Sequence, residues 1–209
     1  AMIPAAWPYV LSLGGAGVLL LALQRPVLGA LPILAAAFVA FFFRDPERQA
    51  PPGEEQVVSP ADGKVVEIVE QSAGQEGRIA IFLSLFNVHV NRAPVSGRVS
   101  KVTYRPGSFK PAYDERASSV NERNTLELAA PAGSFGVSQI AGVVARRIRC
   151  FKSPGDDVRR GERIGYIAFG SRTELTLPRE ATITVSVGQT VRGGETVVAR
   201  LPVPREGES

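Results

Sequence analysis

The feature that most constrains this chain is its N-terminal segment, because residues 1–43 carry a single charge, Arg25. Two apolar runs, 3–23 and 27–43, flank a short polar turn. As a helix the second run would be roughly 25 Å long, close to the roughly 30 Å hydrocarbon core of a bilayer. We therefore predict a membrane-associated helical hairpin over residues 1–43, inserted in or across the bilayer. A hairpin buried in the core of a soluble protein is the alternative.

The charges around this segment favour one orientation. Arg44 and Arg48 follow the second apolar run, whereas the connecting turn carries only Arg25. Cytoplasmic flanks of membrane segments are enriched in lysine and arginine. The pattern therefore predicts a protein of the cell membrane whose polar body lies on the cytoplasmic side. A single cysteine, Cys150, agrees with a reducing compartment.

Counts of a few residue types exclude several classes of function. The one histidine, His89, rules out metal centres that need two imidazoles, and the one cysteine rules out an internal disulfide. The chain has 24 basic and 20 acidic residues, an excess too small to argue for nucleic-acid binding. We therefore expect neither a metal cofactor nor a nucleic-acid partner.

Residues 44–209 have the pattern of a β domain. Short β-branched runs, such as 65–69 and 181–187, alternate with glycine- and proline-rich turns. The segment 155–164 recurs 33 residues later as 188–197, and each copy predicts a glycine turn followed by a strand. These patterns predict a mainly β body of the sandwich or barrel-sandwich type with pseudo-symmetric hairpins. A recurring turn chemistry would explain the repeat equally well.

Four stretches contain residues that could carry chemistry. Asp62 lies in SPADG, which is also typical of a plain turn. His89 in VHVN is the side chain whose ordinary pKa suits acid–base chemistry near neutral pH, although a lone histidine is more often structural. The third stretch is Gly170-Ser171. The fourth, 144–152, is a basic run that suits either a solvated strand face or contact with anionic phospholipid.

The Gly170-Ser171 pair allows a particular reaction. A serine hydroxyl held against the preceding carbonyl can attack it and convert the amide into an ester, and glycine permits the strained backbone that this approach needs. Elimination across Cα–Cβ of the serine and hydrolysis of the resulting enamine would leave a pyruvoyl group at a new N-terminus. An ordinary Gly-Ser turn is the simpler alternative.

Taken together, these stretches resemble the short form of the phosphatidylserine decarboxylase proenzymes, which are pyruvoyl-dependent decarboxylases. The similar segments are FFRDPER (42–48), SPADGKVV (59–66), FNVHVNRAPVSGRV (86–99), NERN (121–124), QIAGVVARR (139–147) and GERIGYIAFGS (161–171). The resemblance covers roughly residues 40–180, and the apolar hairpin ahead of it is also similar to the family's N-terminus.

The resemblance implies a membrane-associated proenzyme that cuts itself between Gly170 and Ser171. The products would be a β chain, 1–170, and an α chain, 171–209, held together as a heterodimer. Ser171 would become the covalent pyruvoyl cofactor. The matured enzyme would decarboxylate phosphatidylserine in the membrane to phosphatidylethanolamine and CO2.

The same resemblance implies a processing triad of Asp62, His89 and Ser171, with Asp114 as another candidate partner for the histidine. His89 would also be a candidate acid for protonation of the product at Cα. Two other functions stay open. The same reaction on archaetidylserine would use an identical serine head group, and a non-enzymatic, membrane-tethered β adaptor would remain one intact polypeptide. A higher oligomer is compatible with either.

Overall fold

The computed structural model describes residues 2–72, 76–109, 120–142, 147–168 and 171–202. The chain divides into two compact units, Ala1–Glu47 and Arg48–Ser209. The first unit is helical and the second consists of antiparallel β-sheets. The predicted mainly β fold with an N-terminal helical hairpin is therefore confirmed.

Two helices form the first unit. A short 3-10 helix (Pro4–Ala6) leads into α1 (Trp7–Ala22), and α2 (Pro26–Phe42) packs beside α1. At Gly17 and Gly29 the two backbones approach closely, since a Cβ added to either glycine would lie 2.9 Å from the carbonyl oxygen of the other. Glycine at both positions therefore permits this tight helix packing.

The large apolar side chains of the hairpin mostly face outward. Those more than half exposed are Trp7, Tyr9, Leu11, Val18, Leu19, Leu23, Val27, Leu28, Leu31 and Leu34. Within the described residues, Pro4–Ala22 is the helix that is long and apolar enough to cross a membrane, whereas Pro26–Phe42 is shorter. An outward apolar surface on a segment of this composition supports membrane association.

The strands of the second unit follow the short β-branched runs of the sequence. They are β1 (Gln56–Val58), β2 (Gly63–Val69), β3 (Gly77–Leu83), β4 (Val90–Arg92), β5 (Gly97–Arg105), β6 (Arg123–Ala130), β7 (Gly133–Ile140), β8 (Arg147–Cys150), β9 (Asp157–Val158), β10 (Arg163–Ala168), β11 (Ser171–Leu177), β12 (Thr182–Ile183), β13 (Thr190–Val191) and β14 (Val197–Arg200). The largest sheet has eight strands in the order β13-β2-β3-β11-β7-β6-β5-β9. Two small sheets, β1-β14-β12 and β4-β10-β8, complete the described part of this unit.

One face of the eight-stranded sheet carries the hydrophobic core. Side chains alternate between the two faces of a strand, so Leu175 and Leu177 of β11 enter the core together with Ile79 and Ile81 of β3. By the same alternation, Ser171 at the start of β11 shares the core-side face. The core thus extends along the sheet to the position of the predicted cut.

The 33-residue repeat is a repeat of structure as well as of sequence. β9 and β13 are exactly one repeat apart and form the two opposite edges of the eight-stranded sheet. The corresponding glycines share positive φ values: Gly155 (97°), Gly188 (92°), Gly161 (81°) and Gly194 (79°). The backbone at these turns lies in the left-handed region, which glycine adopts without strain.

The repeat continues into the first half of the unit. Gly161 donates its N–H to the carbonyl of Ala93, and Gly194 donates to the carbonyl of Ser59, both at 2.8 Å. These matching contacts place the turn before β2 and the turn before β5 in equivalent positions. The prediction of pseudo-symmetric hairpins is confirmed, and it extends further along the chain than the sequence repeat indicated.

Candidate active site

Ser171 is the first residue of β11, between β3 and β7 in the large sheet. Its side chain is fully buried, and Oγ has no hydrogen-bond partner among the described residues. A buried hydroxyl without a partner costs about 1–3 kcal/mol, so such a group indicates a role other than stabilisation. Gly170, the other half of the predicted scissile bond, lies outside the described residues.

His89 lies directly before β4 and is buried. Its carbonyl accepts the N–H of Ile167 at 3.2 Å, and Ile167 precedes Ser171 by four residues. The backbone of His89 is therefore attached to the strand that leads into the predicted cut. The structure thus brings His89 and the Ser171 segment to one region of the fold, and a catalytic link between the two side chains stays a prediction.

A main-chain carbonyl orients the His89 ring. Nδ1 lies 3.0 Å from the carbonyl oxygen of Asn87, and because a carbonyl only accepts, Nδ1 carries the hydrogen. In a neutral imidazole Nε2 then carries the lone pair and can accept a proton. Asn87 is itself fixed by Ser84, whose N–H and Oγ lie 2.9 and 2.8 Å from Asn87 Oδ1.

Asp62 makes its hydrogen bonds elsewhere. Arg48 Nη2 donates to Oδ2 at 2.9 Å, and the backbone N–H of Gly193 donates to Oδ1 at 2.8 Å. The second contact has a counterpart in the other repeat, where Arg160 N–H donates to Ser96 Oγ at 3.0 Å. Asp62 therefore closes a turn of the fold, and its catalytic link to His89 stays a prediction.

The sheet register nevertheless places Asp62 near the end of the sheet where Ser171 lies. Lys64 of β2 and Arg172 of β11 pair with the same residue, Phe82 of β3. The backbone of Gly63, the residue directly after Asp62, therefore lies two strand spacings from that of Ser171, roughly 10 Å. Asp114, the other candidate partner, lies outside the described residues.

Sequence reasoning missed a buried chain of amides beside Ser171. Asn124 Nδ2 donates to Gln139 Oε1 at 3.1 Å, Gln139 Nε2 donates to Asn91 Oδ1 at 2.9 Å, and Asn91 Nδ2 donates to Thr173 Oγ1 at 3.0 Å. Thr173 lies on the same strand face as Ser171. The chain joins four strands and fixes the segment that starts at the predicted cut. The three amide side chains lie in sequence segments that resemble the family, and that resemblance was the one sequence feature that could have indicated them.

Two comparisons with known proteins identify the family of this chain. The profile of the family described as phosphatidylserine decarboxylase matches residues 35–199, which is most of the chain. The chain belongs to this family. It is also similar to a phosphatidylserine decarboxylase proenzyme of Syntrophus aciditrophicus (strain SB), with 45% identity over 179 residues, covering 83% of this chain and 84% of the relative. Membership makes the chain a decarboxylase of phospholipid metabolism, formed as a proenzyme.

A cluster of charges lies on the other face of β11 of this phosphatidylserine decarboxylase family member. Arg172 is buried, its Nε donates to Glu174 Oε1 at 3.0 Å, and its Nη2 contacts Glu67. Arg123 Nη2 lies 2.7 Å from Glu174 Oε2, and Arg78 Nη2 lies 2.5 Å from Glu67 Oε1. Arg172, the second residue after the predicted cut, is thus connected to β2 directly and to β3 and β6 through Glu67 and Glu174. Nothing in the sequence pattern indicates them, because their partners are up to 105 positions apart.

The charges of this cluster change the titration of Glu67. Burial raises the pKa of its carboxyl, but the hydrogen bond from Arg172 and the charges of Arg78 and Arg172 outweigh burial and hold the pKa below 4.5. Unfolded protein therefore binds the proton more readily than folded protein does. The stability that Glu67 contributes is present above about pH 4.5 and is lost as the pH falls through the folded pKa.

Replacing Glu67 tests this assignment. Glu67→Gln should lower the free energy of unfolding at pH 7, and the difference from the wild type should shrink as the pH falls below 4.5. The measurement is chemical unfolding of the detergent-solubilised full chain over a pH series. Glu180→Gln, at an exposed turn residue, serves as the control and should change nothing. An equal deficit at pH 7 and at strongly acidic pH would contradict the assignment.

Proposed function

We propose that this decarboxylase cuts itself between Gly170 and Ser171 and uses the resulting pyruvoyl group to convert phosphatidylserine to phosphatidylethanolamine and CO2. The observation that carries the proposal is the buried Ser171 Oγ, which has no hydrogen-bond partner among the described residues. A serine nucleophile needs a hydroxyl that is not held in a structural hydrogen bond. The family and the proenzyme name of the similar protein support the same reading.

Self-cleavage is assigned to Ser171 with His89 as its base. Ser171 Oγ loses its proton to the base and attacks the Gly170 carbonyl carbon. The base returns this proton to the leaving amide nitrogen, which becomes a free amine, so the peptide becomes an ester. Removal of the Cα proton of residue 171 then expels the Gly170 carboxylate. Hydrolysis of the enamine releases ammonia and leaves the pyruvoyl group on the α chain (171–209). His89 Nε2 can accept and return protons in these steps because the Asn87 carbonyl fixes the hydrogen on Nδ1.

The residues around Ser171 fit a covalent group at this position. The pyruvoyl group supplies a carbonyl that withdraws the electrons left when CO2 departs. Thr173 and Arg172, held by the amide chain and the charge cluster, fix the strand on which the group would sit. We assign His89 a second task, donation of the proton to the product at Cα, and Asp62 a supporting role in the self-cleavage.

The remaining assignments follow from the same proposal. The β chain (1–170) and the α chain stay associated, because β11 lies between β3 and β7 of the other chain. The enzyme acts at the cell membrane with its β unit on the cytoplasmic side, and it works as the heterodimer or as a higher oligomer of it. Archaetidylserine is the second candidate substrate, since its serine head group is the same.

One experiment separates the enzyme from an adaptor. The purified full chain should run as two bands on a denaturing gel, and intact mass should give 1–170 and an α chain lighter than 171–209 by one ammonia. Vesicles of phosphatidylserine should release CO2, and archaetidylserine vesicles in a parallel assay decide the lipid. A single intact chain that releases no CO2 would support the adaptor, and a single chain that does release it would disprove the pyruvoyl assignment.

A further inference from the structure

Two large apolar residues form the tip of the turn that leads to His89. Asn87 N–H donates to the Ser84 carbonyl at 3.0 Å, which makes Leu85 and Phe86 the central residues of a β-turn. Phe86 is 71% exposed and Leu85 is 39% exposed. Central turn positions normally hold glycine, proline, asparagine, aspartate or serine. The exposure of two large apolar side chains at a turn therefore points to a binding role.

This turn lies beside the small sheet β4-β10-β8, at the end where β10 leads to Ser171. His89 contacts Ile167 of β10, and Ile167 pairs with Ile148 of β8, so the three residues form one row across the sheet. Beyond this row β10 runs towards the predicted cut. β4 is antiparallel to β10, so the residues that precede β4 lie beside the end of β10. Phe86 therefore lies towards the same end of the sheet as the predicted cut.

Exposed arginines lie on the third strand of this sheet. Arg147 and Arg149 of β8 are both exposed and, being two residues apart, extend from the same face. Arg147 pairs with Ala168, which is the last residue of β10 before the predicted cut. The apolar turn and the Arg147 cation thus occur at one end of this sheet, and Arg149 lies two residues further along β8.

We propose that Leu85, Phe86, Arg147 and Arg149 form a docking surface for an anionic phospholipid bilayer. Arginine pairs with lipid phosphates, and an exposed phenylalanine partitions into the interfacial region beneath them. The proposal rests on the proposed function, because a lipid must bring its head group to the buried Ser171 without leaving the bilayer. The surface would hold the end of the sheet that carries His89 against the membrane, which is a role separate from anchoring by the hairpin.

Tryptophan fluorescence tests the docking surface directly. The chain has a single tryptophan, Trp7, so Phe86→Trp is made in a Trp7→Phe background and the full chain is reconstituted in vesicles of phosphatidylcholine and phosphatidylglycerol. Brominated acyl chains should remove most of the emission of this variant. Val187→Trp in the same background is the control, because Val187 is also exposed, at 61%, on the turn before β13. Its emission should persist.

Substitutions then connect docking with turnover. Phe86→Ser should raise KM for phosphatidylserine vesicles about tenfold while kcat and self-cleavage stay unchanged. Arg147→Glu with Arg149→Glu should weaken the quenching of Phe86→Trp. An unquenched Phe86→Trp would overturn the proposal, and concentration-dependent self-association lost in Phe86→Ser would assign the surface to a second copy instead. Failure of the proposed function shows separately, as an uncut wild-type chain.

Discussion

Ser171→Ala should give a single uncut chain of 209 residues with no decarboxylase activity. The variant keeps the backbone of β11 but lacks the atom that attacks Gly170, so neither the new N-terminus nor the pyruvoyl group can form. A denaturing gel, intact mass and CO2 release from phosphatidylserine vesicles measure the three consequences. The expected loss of activity is complete, because no other group replaces a covalent cofactor made from this residue.

The structure also predicts that this variant folds. Ser171 Oγ has no hydrogen-bond partner among the described residues, so its removal should leave the midpoint of thermal unfolding of the uncut chain unchanged or raise it. Ser171→Cys retains a nucleophile and should cut, whereas Ser138→Ala removes a buried hydroxyl that bonds Thr125 and should cut normally. Two fragments from Ser171→Ala would reassign the nucleophile.

The sequence predicts the parts of the fold that depend on local pattern. The nearly uncharged segment predicts the hairpin, and the 33-residue glycine spacing predicts the paired turns at Gly155 and Gly188. The equivalence of Asp62 and Ser96 could not be predicted in this way. Aspartate and serine are different residue types, so a sequence comparison does not pair them. In the structure both side chains accept the backbone N–H that closes the turn.

The candidate site also has parts that the sequence predicts and parts that it does not. Ser171 and His89 can be proposed from the sequence because the chemistry requires those residue types. The fold brings their segments together, while their catalytic roles stay predictions. The group that orients His89 is the carbonyl of Asn87. Every residue has a main-chain carbonyl, so the sequence does not indicate which one contacts the histidine. The partners of Arg172 are equally hidden, because β-sheet register rather than sequence spacing brings Glu67 to it.

The second large effect is expected at His89. His89→Ala should slow self-cleavage and should lower turnover of the matured fraction by about 10²–10⁴-fold, which is typical for loss of a positioned acid–base group. The cut occurs once per molecule and can finish over hours, whereas proton transfer to Cα recurs in every cycle. Turnover therefore stays low after maturation is complete. The measurement is kcat per α chain, with the amount of matured α chain taken from intact mass.

A matched variant separates catalysis from structure at this position. His89→Gln retains a hydrogen-bonding side chain of similar size next to Asn87, but it cannot exchange protons near neutral pH. If His89 transfers protons, His89→Gln should fold like the wild type and remain as impaired as His89→Ala. Recovery of the cut and of turnover by glutamine would give His89 a structural role, and recovery of turnover alone would limit its proton transfer to the self-cleavage step.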